Sequence, residues 1–210
     1  MHINIQEIVV SLKKKLPGEI SHKKMLPDGR ILKAPSSDLS EIKKSSVLLL
    51  LFPVNGEIYS CLIKRPAHMK HHAGQIALPG GRIEDNESAI DTALRETREE
   101  IGIHYQKIKI LGQLSELYVE VSKFIIQPFV GWLTEKPQFV INRNEVEKIV
   151  LFPLYKYMTA REYIDIKTIS GKLQVPCIKY KQEIIWGATA MILSEFYDVT
   201  THLISIQKKH

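Results

Sequence analysis

The run PGGRIEDNESAIDTALRETREEIGI, Pro79 to Ile103, decides how the rest of the chain is read. Its second half is periodic: at about 100° per residue Ile90, Ala93, Leu94, Thr97 and Ile101 fall on one stripe, which must face a core. A helix is expected to open at Asn86 or Glu87, to run to about Ile101 and to stop at Gly102. The neighbouring flank carries Glu96, Glu99 and Glu100 at i, i+3 and i+4. Like charges at i, i+4 mildly destabilise a helix. A solvated acidic face neutralised by Arg95 and Arg98 is the ordinary explanation for such a flank. Two features point elsewhere. Arg95 lies four residues from both Asp91 and Glu99, so it can orient as well as neutralise. The Gly80-Gly81 turn just upstream allows backbone carbonyls close to a cation. Oxygen-only carboxylate clusters suit Mg²⁺ or Mn²⁺, which keep several waters and bridge to substrate phosphates.

Outward from this helix, SVLLLLFPVNGEIYSCLIKR reads as a buried strand, an Asn55-Gly56 hairpin and a second strand. Strand-like runs follow in KIKILGQL, FIIQPFVGWL, VEKIVLFPL and LQVPCIKY, and a last helix is expected from about Gly187 to Phe196. Strands before, around and after two well-separated helices imply one sheet covered on both faces, an α/β (α+β) fold. At the amino end, an amphipathic helix stopping near Pro17-Gly18 precedes a polar, Pro- and Gly-broken stretch that reads as an irregular arm.

A chain of 210 residues suits one domain with a full core. The longest apolar run, Val47 to Phe52, is far too short to span a bilayer, and the amino terminus places its apolar residues before its lysines, the reverse of a secretory signal. Cys61 and Cys177 show neither a disulfide framework nor metal-ligand spacing, so a cytoplasmic protein is the default. The net charge of +6 favours an anionic partner. No basic block with interleaved aromatics and no zinc-finger spacing favours nucleic acid.

Gly81, five residues, Glu87, seven residues, then RETREEIGI resembles the Nudix box, with every fixed polar and glycine position present and Thr97 where an aliphatic is usual. The resemblance implies an α/β/α sandwich, a mixed β-sheet between helices, and metal-dependent hydrolysis of a nucleoside diphosphate joined to another group. It implies that Glu96, Glu99 and Glu100 form the metal cluster for Mg²⁺ or Mn²⁺, that the Gly81 carbonyl is a further ligand, and that Arg95 pairs with Glu87 to hold the helix against its loop. On that reading residues 1–45 are a helix and arm packed on a hydrolase domain spanning 46–210, and homodimerisation is left open.

Upstream, CLIKRPAHMKHHAGQIALPGG is similar to the second motif of the coenzyme A pyrophosphatases, a Nudix subgroup. Arg65, Gly74, Pro79, Gly80 and Gly81 align, whereas Ile63, Pro66, Lys70 and Leu78 depart from the pattern. SKFIIQPFVG, NEVEKIVLFPL and IIWGATA resemble later segments of the same subgroup, so the likeness spans about Val47 to Leu193. It implies an anionic nucleotide-type substrate held by Arg65, Lys70, Lys64 and Gly80. Lys70 keeps charge but lacks the planar fork of an arginine. Lys64 reads equally as a charged strand end, His71 and His72 as exposed loop residues, and Trp186 as a core residue. The proton acceptor is Glu99 or Glu145, the latter outside the box and open to three readings: base, further ligand or solvent-facing residue. Rival readings are a Nudix hydrolase of another specificity, such as ADP-ribose, and a non-catalytic nucleotide-binding module.

Overall fold

The computed structural model describes residues 4–35, 41–69, 72–157, 161–168 and 171–207. Lys70 and His71, singled out above, lie outside them. At the centre runs β1 (Lys43–Val54). Its apolar run is buried on both sides: Leu48, Leu50 and Phe52 enter one core, while Leu49 and Leu51 enter another. A strand covered on both faces has no use for polar alternation, which is why the run is continuous. β1 turns at Asn55 (φ 49°) and Gly56 (φ 79°) into β2 (Glu57–Lys64). Positive φ at both positions is what a two-residue type I′ hairpin needs.

On its other edge β1 pairs in parallel with β7 (Phe124–Trp132), and β7 pairs antiparallel with β5 (Lys109–Gln113) and β6 (Leu117–Val119). β2 carries β3 (Ile76–Ala77) and β8 (Lys148–Pro153), while β4 (Gly80–Arg82) closes on the start of β1. These strands make one mixed eight-stranded sheet. The acidic helix, α3 (Ala89–Ile101), sets Ala93 and Ile101 into the core with Leu48 and Leu50. Opposite it, α1 (Ile5–Leu12) and α5 (Gly187–Gln207) cover Leu49 and Leu51. The layered α/β/α arrangement is therefore present. No helix among the described residues is long and apolar enough to cross a membrane.

Four local expectations are corrected. The α3 helix starts at Ala89 with Ser88 as its cap, because Asn86 sits at φ 65° and the Glu87 side chain is drawn to Arg95. The last helix runs on to Gln207 instead of ending at Phe196: Phe196, Val199, Thr200 and Leu203 continue its buried stripe, which overrides the weak helix propensity of Val-Thr-Thr. The arm is not wholly irregular, since α2 (Glu19–His22) and a 3₁₀ turn (Lys23–Met25) lie within it. Finally, α4 (Leu154–Tyr157) leads into a separate three-stranded sheet of β9 (Arg161–Thr168), β10 (Gly171–Tyr180) and β11 (Glu183–Trp186), in place of one continuous sheet.

A buried carboxylate on α5 helps to hold the arm. Glu195 of α5, 0% exposed, accepts from the Gly18 N–H at 3.0 Å and the Ser115 N–H at 3.2 Å, and meets His22 Nε2 at 3.0 Å. Burial alone would push this carboxyl up, but the contacts from His22, Ser115 and Gly18 outweigh it and hold it below the usual carboxylate range. A depressed folded pKa stabilises the protein above the ordinary carboxylate value, and that stability is lost as pH falls through the lower folded value. Glu195→Ala should lower unfolding stability by about 3–5 kcal/mol, the typical cost of breaking a buried pair. It should also flatten the acid limb of the stability profile. Denaturant melts from pH 3 to pH 7 test this, and unchanged midpoints would refute it.

Candidate active site

The α3 helix is fixed at both ends. Ser88 Oγ accepts from the Asp91 N–H at 3.3 Å, and Gly102, at φ 76°, donates its N–H to the Arg98 carbonyl. Asp91 is occupied with Ser88 and is not the partner expected for Arg95. Arg95 instead forks onto Glu87, with Nε 2.9 Å from Oε1 and Nη2 3.1 Å from Oε2, and its Nη1 reaches Glu96 at 2.9 Å and Glu99 at 3.1 Å. The hydrogen bond from Arg95, helped by Thr92, holds the Glu87 carboxyl down at about 2 despite partial burial. The contacts with Glu87 and Glu96 raise the Arg95 guanidinium in turn, so each partner holds the other in its charged form. Such a bidentate pair ties the loop before α3 to the helix.

Glu100 lies one turn on from Glu96 and is 1% exposed. Its Oε2 accepts from the Gly80 N–H at 3.0 Å, and Arg65 Nη1 stands 3.8 Å from its Oε1. Burial pushes this carboxyl up to about 8, with the Glu96 charge adding to the effect. Glu96 is also raised, by burial first and against the pull of Arg95. Glu145, in the loop before β8, brings a third carboxylate: one oxygen each from Glu96, Glu100 and Glu145 lie within 4.8 Å of one another. Glu99 stands apart from this group, on the exposed flank between Arg95 and Arg98. Of the three box glutamates, Glu96 and Glu100, one turn apart, meet Glu145, which the sequence left open among base, further ligand and solvent-facing residue.

A divalent cation suits this arrangement on three counts. All the donors are oxygens, as Mg²⁺ and Mn²⁺ prefer. Two of the three carboxylates are disfavoured as anions by burial, a penalty that a bound cation would offset. The third count is the backbone at Gly81, which packs so close to Glu96 that a Cβ there would stand 2.1 Å from Oε1. Glycine at this position leaves room for the carboxylate.

The other sequence candidates fall in different places. Arg65 flanks the cluster with its Nε buried and without a hydrogen-bond partner. Gly80, expected at the substrate, spends its N–H on Glu100. Lys64 is already neutralised, 3.5 Å from Glu147 and 3.6 Å from Glu183. Glu183, which also pairs with Lys148 at 2.6 Å, had no sequence signal because it arrives from β11, in the other sheet. His72 is exposed and bonds Gln75, while Trp186 is half-buried at the end of β11.

Comparison with known proteins bears on the family and the fold. A family profile described as the NUDIX domain matches residues 43–169. The chain is 34% identical over 167 residues to an uncharacterized Nudix hydrolase, NudL, of Photorhabdus laumondii, covering 78% of this chain and 89% of the relative. It is 35% identical over 137 residues to the uncharacterized NudL of Pectobacterium atrosepticum, covering 64% of this chain and 71% of that one. Among solved structures, the Nudix hydrolase RenU from M. smegmatis superposes with a TM-score of 0.54 at 14% identity, covering 87% of this chain and 94% of RenU. A MutT/nudix family protein from Enterococcus faecalis gives 0.54 at 17% identity, covering 96% of this chain and 76% of that one. At these identities the two superpositions speak for the fold alone.

Proposed function

This chain belongs to the Nudix family, and from that premise we propose that it hydrolyses the pyrophosphate of coenzyme A or its derivatives to 4′-phosphopantetheine and adenosine 3′,5′-bisphosphate. As a Nudix pyrophosphohydrolase it acts on nucleoside diphosphate derivatives. The observation that carries the reading is the convergence of Glu96, Glu100 and Glu145 beside the partnerless Nε of Arg65. Coenzyme A is favoured within the class by the Arg65, Gly74, Pro79, Gly80 and Gly81 pattern. Three of the four departures from that pattern, Ile63, Pro66 and Leu78, are buried.

Glu96, Glu100 and Glu145 would hold Mg²⁺ or Mn²⁺, with the Gly81 carbonyl and Glu99 as further oxygens. When bound, such a cation neutralises charge on the pyrophosphate and acidifies water next to it. The side chains bind, orient and move the proton. As the water oxygen bonds to one phosphorus, the bridging P–O bond opens and its electron pair leaves with the other phosphate. The proton lost by that water goes to a carboxylate. Of the two candidates, Glu145 lies in the cluster while Glu99 is engaged by two guanidiniums, which favours Glu145. Arg95 keeps Glu96 in register with the loop by holding Glu87 at the same time. Arg65 and Lys70 would meet substrate phosphate; Lys64, neutralised by two glutamates, contributes less.

Lys70, the one departure at a charged position, favours a second reading in which another nucleoside diphosphate derivative such as ADP-ribose is preferred. All the box carboxylates are present, which argues against a non-catalytic nucleotide-binding module. Coenzyme A and 3′-dephospho-coenzyme A, assayed side by side with Mg²⁺ or Mn²⁺, separate the specificities. A charge-assisted contact to the 3′-phosphate contributes about 1.5–3 kcal/mol, so kcat/KM should favour coenzyme A roughly ten- to a hundredfold. Arg65→Ala should shrink that ratio. Faster hydrolysis of ADP-ribose than of either compound would end the coenzyme A reading.

A further inference from the structure

The loop between β7 and β8 reaches the active site by crossing the end of α3. There the Val140 N–H donates to the Ile101 carbonyl and the Asn142 N–H to the Glu100 carbonyl, both at 3.0 Å. These carbonyls belong to the last turn of the helix, where no intrahelical donor remains. The crossing is tight: a Cβ on Gly102 would stand 2.7 Å from Val140 Cβ. Loop and helix are thus locked in register by the turn that also carries Glu100.

Beyond the crossing the chain makes one turn around Asn142. Its carbonyl accepts from the N–H groups of Glu145 at 3.0 Å and Val146 at 2.8 Å, and Val146 is fully buried. The Asn142 side chain is fixed at both of its polar atoms. Oδ1 accepts from the Asn144 N–H at 3.1 Å, so the amide nitrogen must be the atom turned to Glu145, where Nδ2 donates to Oε1 at 3.3 Å. A carboxylate has about four lone-pair sites, so this one contact does not exhaust what Glu145 can offer the cluster. Glu145 is half-buried and faces the like charges of Glu96 and Glu100, a repulsion that favours swinging outward. The amide of Asn142 opposes that swing.

We infer that Asn142 is the positioning residue for the third carboxylate, coupling Glu145 to the end of α3 so that Glu96, Glu100 and Glu145 are presented together. The inference rests on the place of Glu145 in the reaction proposed above. Asn142→Ser is the informative variant, because a serine hydroxyl can still accept from the N–H two residues on, while its shorter side chain ends one bond short of the Nδ2 that reaches Glu145. Partners that orient ligating groups typically contribute ten- to a hundredfold in affinity or activity. Asn142→Ser should therefore weaken Mn²⁺ binding, measured by titration calorimetry on the metal-free protein, by about tenfold or more. Its melting temperature in chelator should stay close to wild type.

In a Glu145→Ala background the same substitution should change Mn²⁺ affinity no further, as a double-mutant cycle requires of two residues that act through one contact. Asn142→Asp gives a second, shape-conserving variant that keeps the acceptor for Asn144, and it should lower kcat/KM by a similar factor. Wild-type Mn²⁺ affinity in Asn142→Ser, or a loss that persists in the Glu145→Ala background, overturns the inference while Glu145 keeps its role. If Glu145→Ala itself leaves Mn²⁺ affinity and turnover unchanged, the assignment of Glu145 fails and this inference falls with it.

Discussion

Glu100→Gln is expected to lower kcat/KM by about a hundredfold or more, while the metal-free protein melts no lower than wild type. The two halves of this expectation have one cause. Glu100 is 1% exposed and its charged form is disfavoured by burial, with only Arg65, at 3.8 Å, as a nearby cation. In the metal-free protein that carboxylate is a liability, because desolvating an ion costs more than one long contact returns. Glutamine fills nearly the same volume and can still accept from the Gly80 N–H, so the fold keeps its hydrogen bond and loses only a carboxyl that burial already disfavours as an anion. Activity loses what the charge was there for, since a cation held beside phosphate contributes several kcal/mol in the transition state. Kinetics at saturating Mn²⁺ and thermal melts in chelator would be read together. Near-normal turnover would remove Glu100 from the metal site, and a sharp fall in melting temperature would make it a structural residue instead.

The same residues show how far a sequence can be read before folding is known. The α3 helix and its acidic flank were legible because helical period and glycine placement are local properties: Ala93, Thr97 and Ile101 are buried and Gly102 takes the left-handed position. Glu100 and Arg95 could be singled out for the same reason. Glu145 could not be resolved among base, ligand and solvent-facing residue, because its neighbours in space are forty-odd positions away and are met only through a loop. Lys64 stayed open between a phosphate contact and a charged strand end for a related reason: Glu183, 3.6 Å away, arrives only from the second sheet. The length of α5 was hidden by Val199, Thr200 and Thr201, which disfavour helices in isolation, although Val199 and Thr200 are buried here.

Gly81→Ala should cost as much activity as losing a ligand, with little change in stability. The α-carbon of Gly81 lacks the left-handed backbone that would make alanine strained in itself, and the nearest atoms to an added Cβ all belong to the Glu96 side chain: Oε1 at 2.1 Å, Cδ at 2.4 Å and Oε2 at 2.9 Å. A carboxylate at the end of a flexible side chain can move aside cheaply, so the fold accommodates the methyl group. The site does not, because Glu96 must then leave the position it shares with Glu100 and Glu145. A displacement of about 1 Å at a reacting centre can cost on the order of a hundredfold in rate. Gly80→Ala supplies the contrast. There the added Cβ meets backbone, the Ser46 carbonyl oxygen at 2.3 Å and Val47 Cα at 2.6 Å, where β4 pairs with β1. That variant should lose stability first and activity as a consequence. Turnover, Mn²⁺ affinity and melting temperature measured on both variants separate the two cases. A Gly81→Ala protein that binds Mn²⁺ and turns over like wild type would mean that Glu96 does not need the position it occupies, and its assignment to the metal would fail.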